Sequence, residues 1–207
     1  MVSKDSPAKL AKYRRRRDFT KTAEPEGARG DRTGRRPRFV VQIHDASTLH
    51  FDFRLEVDGV LKSWAVPKGP SLDPHDKRLA MPTEDHPLEY REFEGVIAEG
   101  EYGAGTVIIW DEGTYRNLTT DRRGHELALA DALDKGHASF RLDGSKLHGG
   151  FALTRTHLGD DREAWLLVKH DDRRASAHGT PDPRRARSAR SGRTLKQLAA
   201  LATGDSP

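Results

Sequence analysis

The 207-residue chain contains no cysteine. That excludes a disulfide framework and a thiolate metal site, so any metal would have to be held by histidine and carboxylate. Long apolar runs are also missing, and nothing approaches the roughly 18 residues of a membrane-spanning helix. Met1 to Arg17 is polar and basic without an apolar segment, so no secretory signal is expected and a cytoplasmic setting is. Gly95 to Gly105 holds four glycines, but not in the G-x-x-x-x-G-K-[ST] order of a phosphate loop. There is no G-x-S-x-G, and cysteine nucleophiles are excluded outright.

What is present is charge, unevenly spread. The net +4 conceals 13 basic against 5 acidic residues in 1–38, 15 against 24 in 39–171, and 8 against 3 in 172–207. An acidic centre between basic arms suits a division of labour in which the arms attract a polyanion and the centre holds a cation. Composition alone equally admits arms that are simply solvated tails.

The organisation follows the same division. Ala8 to Phe19 predicts a short helix with Ser6 as cap, Pro7 at its first position and a basic face from Arg14 to Arg17. Residues 20–37 read as a linker, so 1–37 form a basic arm. From Arg38 the texture changes to short strands, at 38–43, 50–57, 60–66, 105–110, 114–118, 138–142, 150–156 and 164–170. Turn signals such as Asp58-Gly59, Glu112-Gly113 and Asp143-Gly144 divide them. One helix is expected at 125–135, ended by Gly136. The fold class is therefore mainly β: a compact closed barrel of short strands over 38–171 with a few short flanking helices. Residues 172–207 read as a basic tail, disordered over 172–193 with a short helix at 194–202.

Within the barrel, His50, Asp52, Arg54 and Glu56 alternate with Phe51, Phe53, Leu55 and Val57. Alternation places the two sets on opposite faces of one strand. The Asp58-Gly59 turn then sets the hairpin register. It pairs Val57 with Val60, Phe53 with Trp64 and Phe51 with Val66 on one face, interrupted by Lys62 opposite Leu55. On the other face His50 meets Pro67, Asp52 meets Ala65 and Arg54 meets Ser63, and these small partners leave room for a ligand. His50 and Asp52 can reach one ion, with His44 just upstream. Such a set with open positions suits Mn²⁺, Fe²⁺ or Zn²⁺. Arg54 could fork onto a phosphate, or pair with Glu56 or Glu84. Taken singly, Lys68, His86 and Tyr90 read as turn, loop and core residues, and Glu56 as structural.

The run from Arg38 to Pro70 resembles the phosphoesterase domain of bacterial ligase D, an end-joining DNA repair enzyme. The likeness extends to Arg17-Asp18-Phe19 with Thr22, Glu24 and Pro25, and to Asp85-His86-Pro87. It continues through Gly95-Val96-Ile97 to Thr106-Val107, Trp110-Asp111 and Trp165 to His170, covering roughly residues 8–171. The resemblance implies a compact β-barrel. It also implies Mn²⁺, with Co²⁺ or Zn²⁺ as alternates, on His44, His50 and Asp52. By the same likeness Arg54, His86 and Tyr90 are catalytic, with Gln42, Lys68 and Arg78 near the phosphate. Arg17, Asp18 and Glu24 belong to an arm that helps act on ribonucleotide-ended strands. Many relatives carry histidine where this chain has Thr48, so Thr48 is not counted as a ligand.

The activity implied is removal of 3′-phosphates and 3′-terminal ribonucleosides from primer–template ends, by a stand-alone form associated with the nucleoid. Separately encoded ligase and polymerase are the implied partners. Two rivals from other classes are a non-catalytic DNA-end module with a structural metal and, on the His-x-Asp pattern, a non-heme iron oxygenase.

Overall fold

The computed structural model describes residues 6–27, 36–159, 162–177 and 179–204. Part of the expected linker (28–35) and His178 of the tail lie outside the described residues. In chain order the elements are α1 Ser6–Lys9, α2 Ala11–Arg15, β1 Arg38–Asp45, β2 Leu49–Val57, β3 Val60–Val66 and β4 Arg78–Pro82. A 3₁₀ turn, Leu88–Glu92, precedes β5 Gly95–Ile97 and β6 Gly105–Asn117. Then come α3 Leu129–Asp134, β7 His137–Gly144, β8 His148–Leu158, β9 Arg162–Lys169 and α4 Leu195–Thr203.

The strands run antiparallel in the order β1-β2-β3-β4-β9-β8-β7-β6, and β6 pairs back onto β1. Eight strands thus close a barrel, with β5 added to β6 on its outside. The hairpin register stands as the sequence implies: Val57 faces Val60, Phe53 faces Trp64, Asp52 faces Ala65 and Arg54 faces Ser63. Phe39, Val41, Ile43, Phe51, Phe53, Leu55, Trp64, Phe140, Phe151 and Trp165 fill the interior. Phe53 stacks on Phe140 with ring centroids 5.9 Å apart.

Several elements differ from expectation: β4 and β5 form where no strand was foreseen, and α3 covers only Leu129–Asp134 of the helix expected at 125–135. The turn foreseen at Glu112-Gly113 does not form, and β6 continues through it as one 13-residue strand. Its register against β1 shifts beside Val41 and Gln42, a bulge that bends the strand from β1 toward β7. Gly113 serves that bend, because a Cβ there would lie 2.1 Å from the Asp143 carbonyl oxygen. The N-terminal helix is two short pieces, with Ser6 inside the first one. The described residues of 172–193 are irregular, yet they lie on the barrel: Ser176 N–H donates to Leu72 O, Ala189 N–H to Ile109 O, and Ser188 and Ser191 donate to Glu94. Arg190 forks onto both Glu112 oxygens at 3.1 and 2.9 Å. Polar composition suggested solvation, but here the polar groups bond to β6 and to the loops at Leu72 and Glu94. The helix foreseen near 194–202 forms with a Thr194–Gln197 capping box.

One polar side chain lies among the interior rings. Lys169 is buried beneath Phe151, and its Nζ donates to Asp172 Oδ1 (2.6 Å) and the His170 carbonyl (3.0 Å). Burial pushes the Asp172 carboxyl up, but Lys169 and the Gly150 and Arg174 N–H groups outweigh it and hold the value at about 2. A depressed folded value means that the unfolded chain binds the proton more readily, since an unperturbed Asp titrates near 3.9. The stabilisation is therefore present above about pH 4 and lost as pH falls toward about 2. Thermal melts should show a midpoint that drops across this window. Asp172→Asn should lower the midpoint at pH 7 and flatten the drop, and an unchanged slope would refute the assignment.

Candidate metal and anion site

The inward face of β1 and β2 belongs to the barrel core, so Gln42, His44, Asp52 and Arg54 point outward. Outward residues on a barrel are normally solvated, but these are buried. A second small core covers them: Tyr13 of α2, Leu88, Tyr90 and Phe93 around the 3₁₀ turn, and Ile97 of β5 pack on Leu61 and Val107. The site lies between the barrel wall and this roof.

His44, His50 and Asp52 each offer a ligand atom, all within 4.8 Å of one another. The imidazole tautomers are fixed from behind. His44 Nε2 lies 2.8 Å from the Gly103 carbonyl and His50 Nδ1 2.7 Å from the Thr48 carbonyl. A carbonyl only accepts, so those nitrogens carry the protons. The lone pairs then fall on His44 Nδ1 and His50 Nε2, which face Asp52 at 3.8 and 3.7 Å. Backbone carbonyls that orient histidines toward a common point are what a metal site requires. Thr48 contributes through its main chain. Burial pushes the Asp52 carboxyl up, but the Arg54 guanidinium, at 2.9 Å, holds it well below the usual carboxylate range. The donor set of two neutral imidazoles and one carboxylate fits a divalent transition metal.

Arg54 is the centre of the anion side. Its Nε donates to Gln42 Oε1 (2.8 Å), its Nη2 to Asp52 Oδ2 (2.9 Å), and its guanidinium lies 4.8 Å from the Tyr90 ring centroid. Gln42 is oriented in turn, because its amide nitrogen donates to the carbonyls of Tyr90 and Phe93. Arg54 Nη1 is 3.0 Å from His86 Nδ1, which is also 2.8 Å from Glu84 O. Burial first, then the charges of Arg54 and Arg17, push His86 well below its ordinary value. The imidazole is therefore neutral before an anion arrives. The alternative pairing of Arg54 with Glu56 or Glu84 does not occur: Glu56 accepts from Arg38 N–H, and Glu84 is taken by the arm.

The expected arm residues separate into two kinds. Arg17 Nε donates to Glu24 (2.9 Å) and Nη1 to Glu84 (3.1 Å), and its guanidinium lies 3.8 Å from the Tyr13 ring centroid. Thr22 adds a bond to Glu24, and Arg16 a second pair to Glu84. This buried network fastens the arm two residues from His86, whose ring lies 5.0 Å from Tyr13. Asp18 is half-exposed, caps its own turn through Thr20 and pairs with Lys21 at 3.3 Å. Lys68 is exposed in the turn after β3, and Arg78 is paired with Asp76 at 2.7 Å. Among the described residues, neither is bonded to the Arg54 group. Tyr13 and the carbonyl of Gly103 went unrecognised in the sequence, and Glu84 was considered only as a partner of Arg54; a lone aromatic inside a basic helix was the available signal for Tyr13.

The Arg17 network yields a stability prediction. Arg17→Met leaves Glu24 buried without its cation and Glu84 with Arg16 alone, which costs about 3 kcal/mol. For a chain of this size that is a fall in thermal midpoint of roughly 6–12 °C. Asp18→Asn should melt close to wild type, and equal falls in the two variants would show that burial is not the cause.

Barrel wall and roof together define a β-barrel protein with candidate cation and anion sites side by side. Residues 42–155 match the DNA ligase D 3′-phosphoesterase domain family, and the chain belongs to that family. The matched stretch contains the His44, His50 and Asp52 set, Arg54, His86 and Tyr90, while Arg17, Asp18 and Glu24 precede it. The chain is 56% identical over 165 residues to the multifunctional non-homologous end joining protein LigD of Pseudomonas aeruginosa, covering 79% of this chain and 19% of that protein. It is 45% identical over 172 residues to the corresponding DNA repair protein of Mycobacterium tuberculosis (82% of this chain, 21% of that protein). Against the protein of Mycolicibacterium smegmatis, identity is 46% over 171 residues (80% and 21%). The chain spans about a fifth of the length of these curated relatives. No described helix is long and apolar enough to cross a membrane.

Proposed function

We propose that the chain is a divalent-metal-dependent 3′-phosphoesterase that trims DNA ends, removing 3′-phosphates and 3′-terminal ribonucleosides during end-joining repair. The observation that carries this reading is the convergence of two carbonyl-oriented imidazole lone pairs and an ionised Asp52 beside the buried Arg54 guanidinium. His44, His50 and Asp52 would hold the metal, Mn²⁺ first and Co²⁺ or Zn²⁺ as substitutes. A bound divalent ion supplies Lewis acidity to a phosphoryl oxygen and a lowered pKa to a water.

The protein's own part is positioning and charge. Arg54 meets the phosphate oxygens as negative charge develops on them. His86, neutral beforehand, is placed to gain a proton when an anionic group neutralises the surrounding arginine charge. Tyr90 and Gln42 hold Arg54 in place, and Arg17 and Glu24 keep the arm over the site. Lys68, Arg78 and Asp18 are assigned to the approaching strand. The partners proposed are primer–template 3′ ends, with ligase and polymerase of an end-joining system, near the nucleoid. The barrel with its site corresponds to residues 38–171, between a basic arm and a basic tail. An iron oxygenase would share the two-histidine, one-carboxylate set, but Arg54 bonded to that carboxylate suits an anionic substrate better.

The test is incubation of a 3′-phosphate primer–template and a 3′-ribonucleotide one with Mn²⁺. Release of phosphate and of a terminal nucleoside is expected. Binding of both ends without turnover would leave only a DNA-end module.

A further inference from the structure

The glycine-rich stretch between β5 and β6, which matches no phosphate loop, borders the candidate site. Two successive turns set its course. Glu101 N–H donates to Ala98 O (3.2 Å) and Ala104 N–H to Glu101 O (3.0 Å). Tyr102 and Gly103 are the central pair of the second turn. Gly103 has φ +79°, the left-handed value that the third position of a type II turn reserves for glycine. Its carbonyl meets His44 Nε2 at 2.8 Å. Tyr102, the residue before it, is thereby fixed beside the cation side of the site.

Exposure shows which side of the site is open. Side-chain exposure is 3% at Arg54 and 7% at Asp52, and rises to 11% at His44 and 20% at His50. The anion end is closed by the roof, and the opening lies toward the two histidines. A strand end whose terminal phosphate reaches Arg54 leaves its terminal sugar and base at this opening.

Tyr102 stands there with 47% of its surface exposed. A single exposed ring carries little meaning by itself. This one is held in place. Arg16 Nη1 donates to its hydroxyl, and the guanidinium groups of Arg16 and Arg17 lie 4.7 and 5.5 Å from its ring centroid. Both arginines are anchored by Glu84, and Arg17 by Glu24 as well. Arm and loop therefore meet at one aromatic ring at the mouth of the site, ordered before any ligand arrives. A pre-ordered tyrosine offers a large contact surface with little conformational entropy left to lose.

We propose that the exposed surface of the Tyr102 ring is a stacking platform for the terminal nucleobase of a strand whose 3′ end lies at Arg54. The ligand class rests on the end-processing reading above. Stacking suits such a substrate, because every base has a π face and stacking tolerates any sequence.

The test is fluorescence anisotropy of the full chain, without metal, on two primer–templates that both end in a 3′-phosphate. One carries a base on its terminal nucleotide and the other is abasic there. Wild type should bind the base-bearing end about tenfold more tightly, the order of one base–aromatic stack. Tyr102→Ala should remove most of that preference. Tyr102→Phe, which keeps the ring and loses the bond to Arg16, should retain it. With Mn²⁺ present, Tyr102→Ala should raise KM for phosphate release from the base-bearing end more than from the abasic one.

Equal weakening of both ends in Tyr102→Ala would make the residue a fastener of the arm and overturn the platform. So would a preference that is absent in wild type, kept in Tyr102→Ala or lost in Tyr102→Phe. A preference that depends on the ring, in a chain that releases no phosphate from either end, would overturn the end-processing reading and leave the platform standing. Phosphate release without any such preference would do the reverse.

Discussion

Asp52→Ala is expected to abolish Mn²⁺-dependent phosphatase activity, a loss of about a thousandfold or more if the ion supplies several kcal/mol of transition-state stabilisation. Metal affinity, read directly by calorimetry, should fall by more than about a hundredfold, beyond the effect of losing an outer partner. The substitution acts twice, because Asp52 also accepts from Arg54 Nη2 at 2.9 Å. Removing it leaves a buried guanidinium without its carboxylate, which costs on the order of 3–5 kcal/mol. Asp52→Asn separates the two effects. The amide oxygen can still accept from Arg54, so the metal-free midpoint should fall less than in Asp52→Ala, while metal binding is lost in both. Activity retained by either variant with added Mn²⁺ would sink the ligand assignment.

How much of this was legible in the sequence depended on distance along the chain. The β2–β3 register could be read because a two-residue Asp58-Gly59 turn and period-two alternation are both local. His50, Asp52 and Arg54 were placed on one face for the same reason. That this face is roofed could not be read, since the roof comes from Tyr13, Tyr90, Phe93 and Ile97, which are scattered over 84 positions and have no shared period. Roofing is what turns a solvated row into a buried site. It pushes His86 well below its ordinary value, where the residue alone read as part of a loop, and it recruits Arg17 and Glu24 into a buried ion network. Gly113 misled for a related reason: a glycine marks a turn or a close approach, and only the partner strand tells which. The segment 172–193 looked solvated because its bonds go to β6 and to loops far away in sequence.

Arg54→Ala should lower kcat by about a hundred- to a thousandfold, the range for removing a preorganised transition-state donor. Mn²⁺ affinity should change little, because His44 and His50 are held by the carbonyls of Gly103 and Thr48 and not by Arg54. The guanidinium has five N–H donors. One goes to Gln42, one to Asp52, and at most one toward His86. At least two remain, one on each terminal nitrogen, for phosphate oxygens. Lysine offers no such fork and cannot reach Gln42 and Asp52 while presenting a second edge, so Arg54→Lys should restore little of the rate. Gln42→Leu should act through Arg54 alone. It removes the acceptor for Nε and the ties to the Tyr90 and Phe93 carbonyls, and it should lower kcat by about tenfold with metal binding intact. Rate and metal affinity falling together in Arg54→Ala would mean that Arg54 serves chiefly to orient Asp52, and its phosphate role would have to be given up.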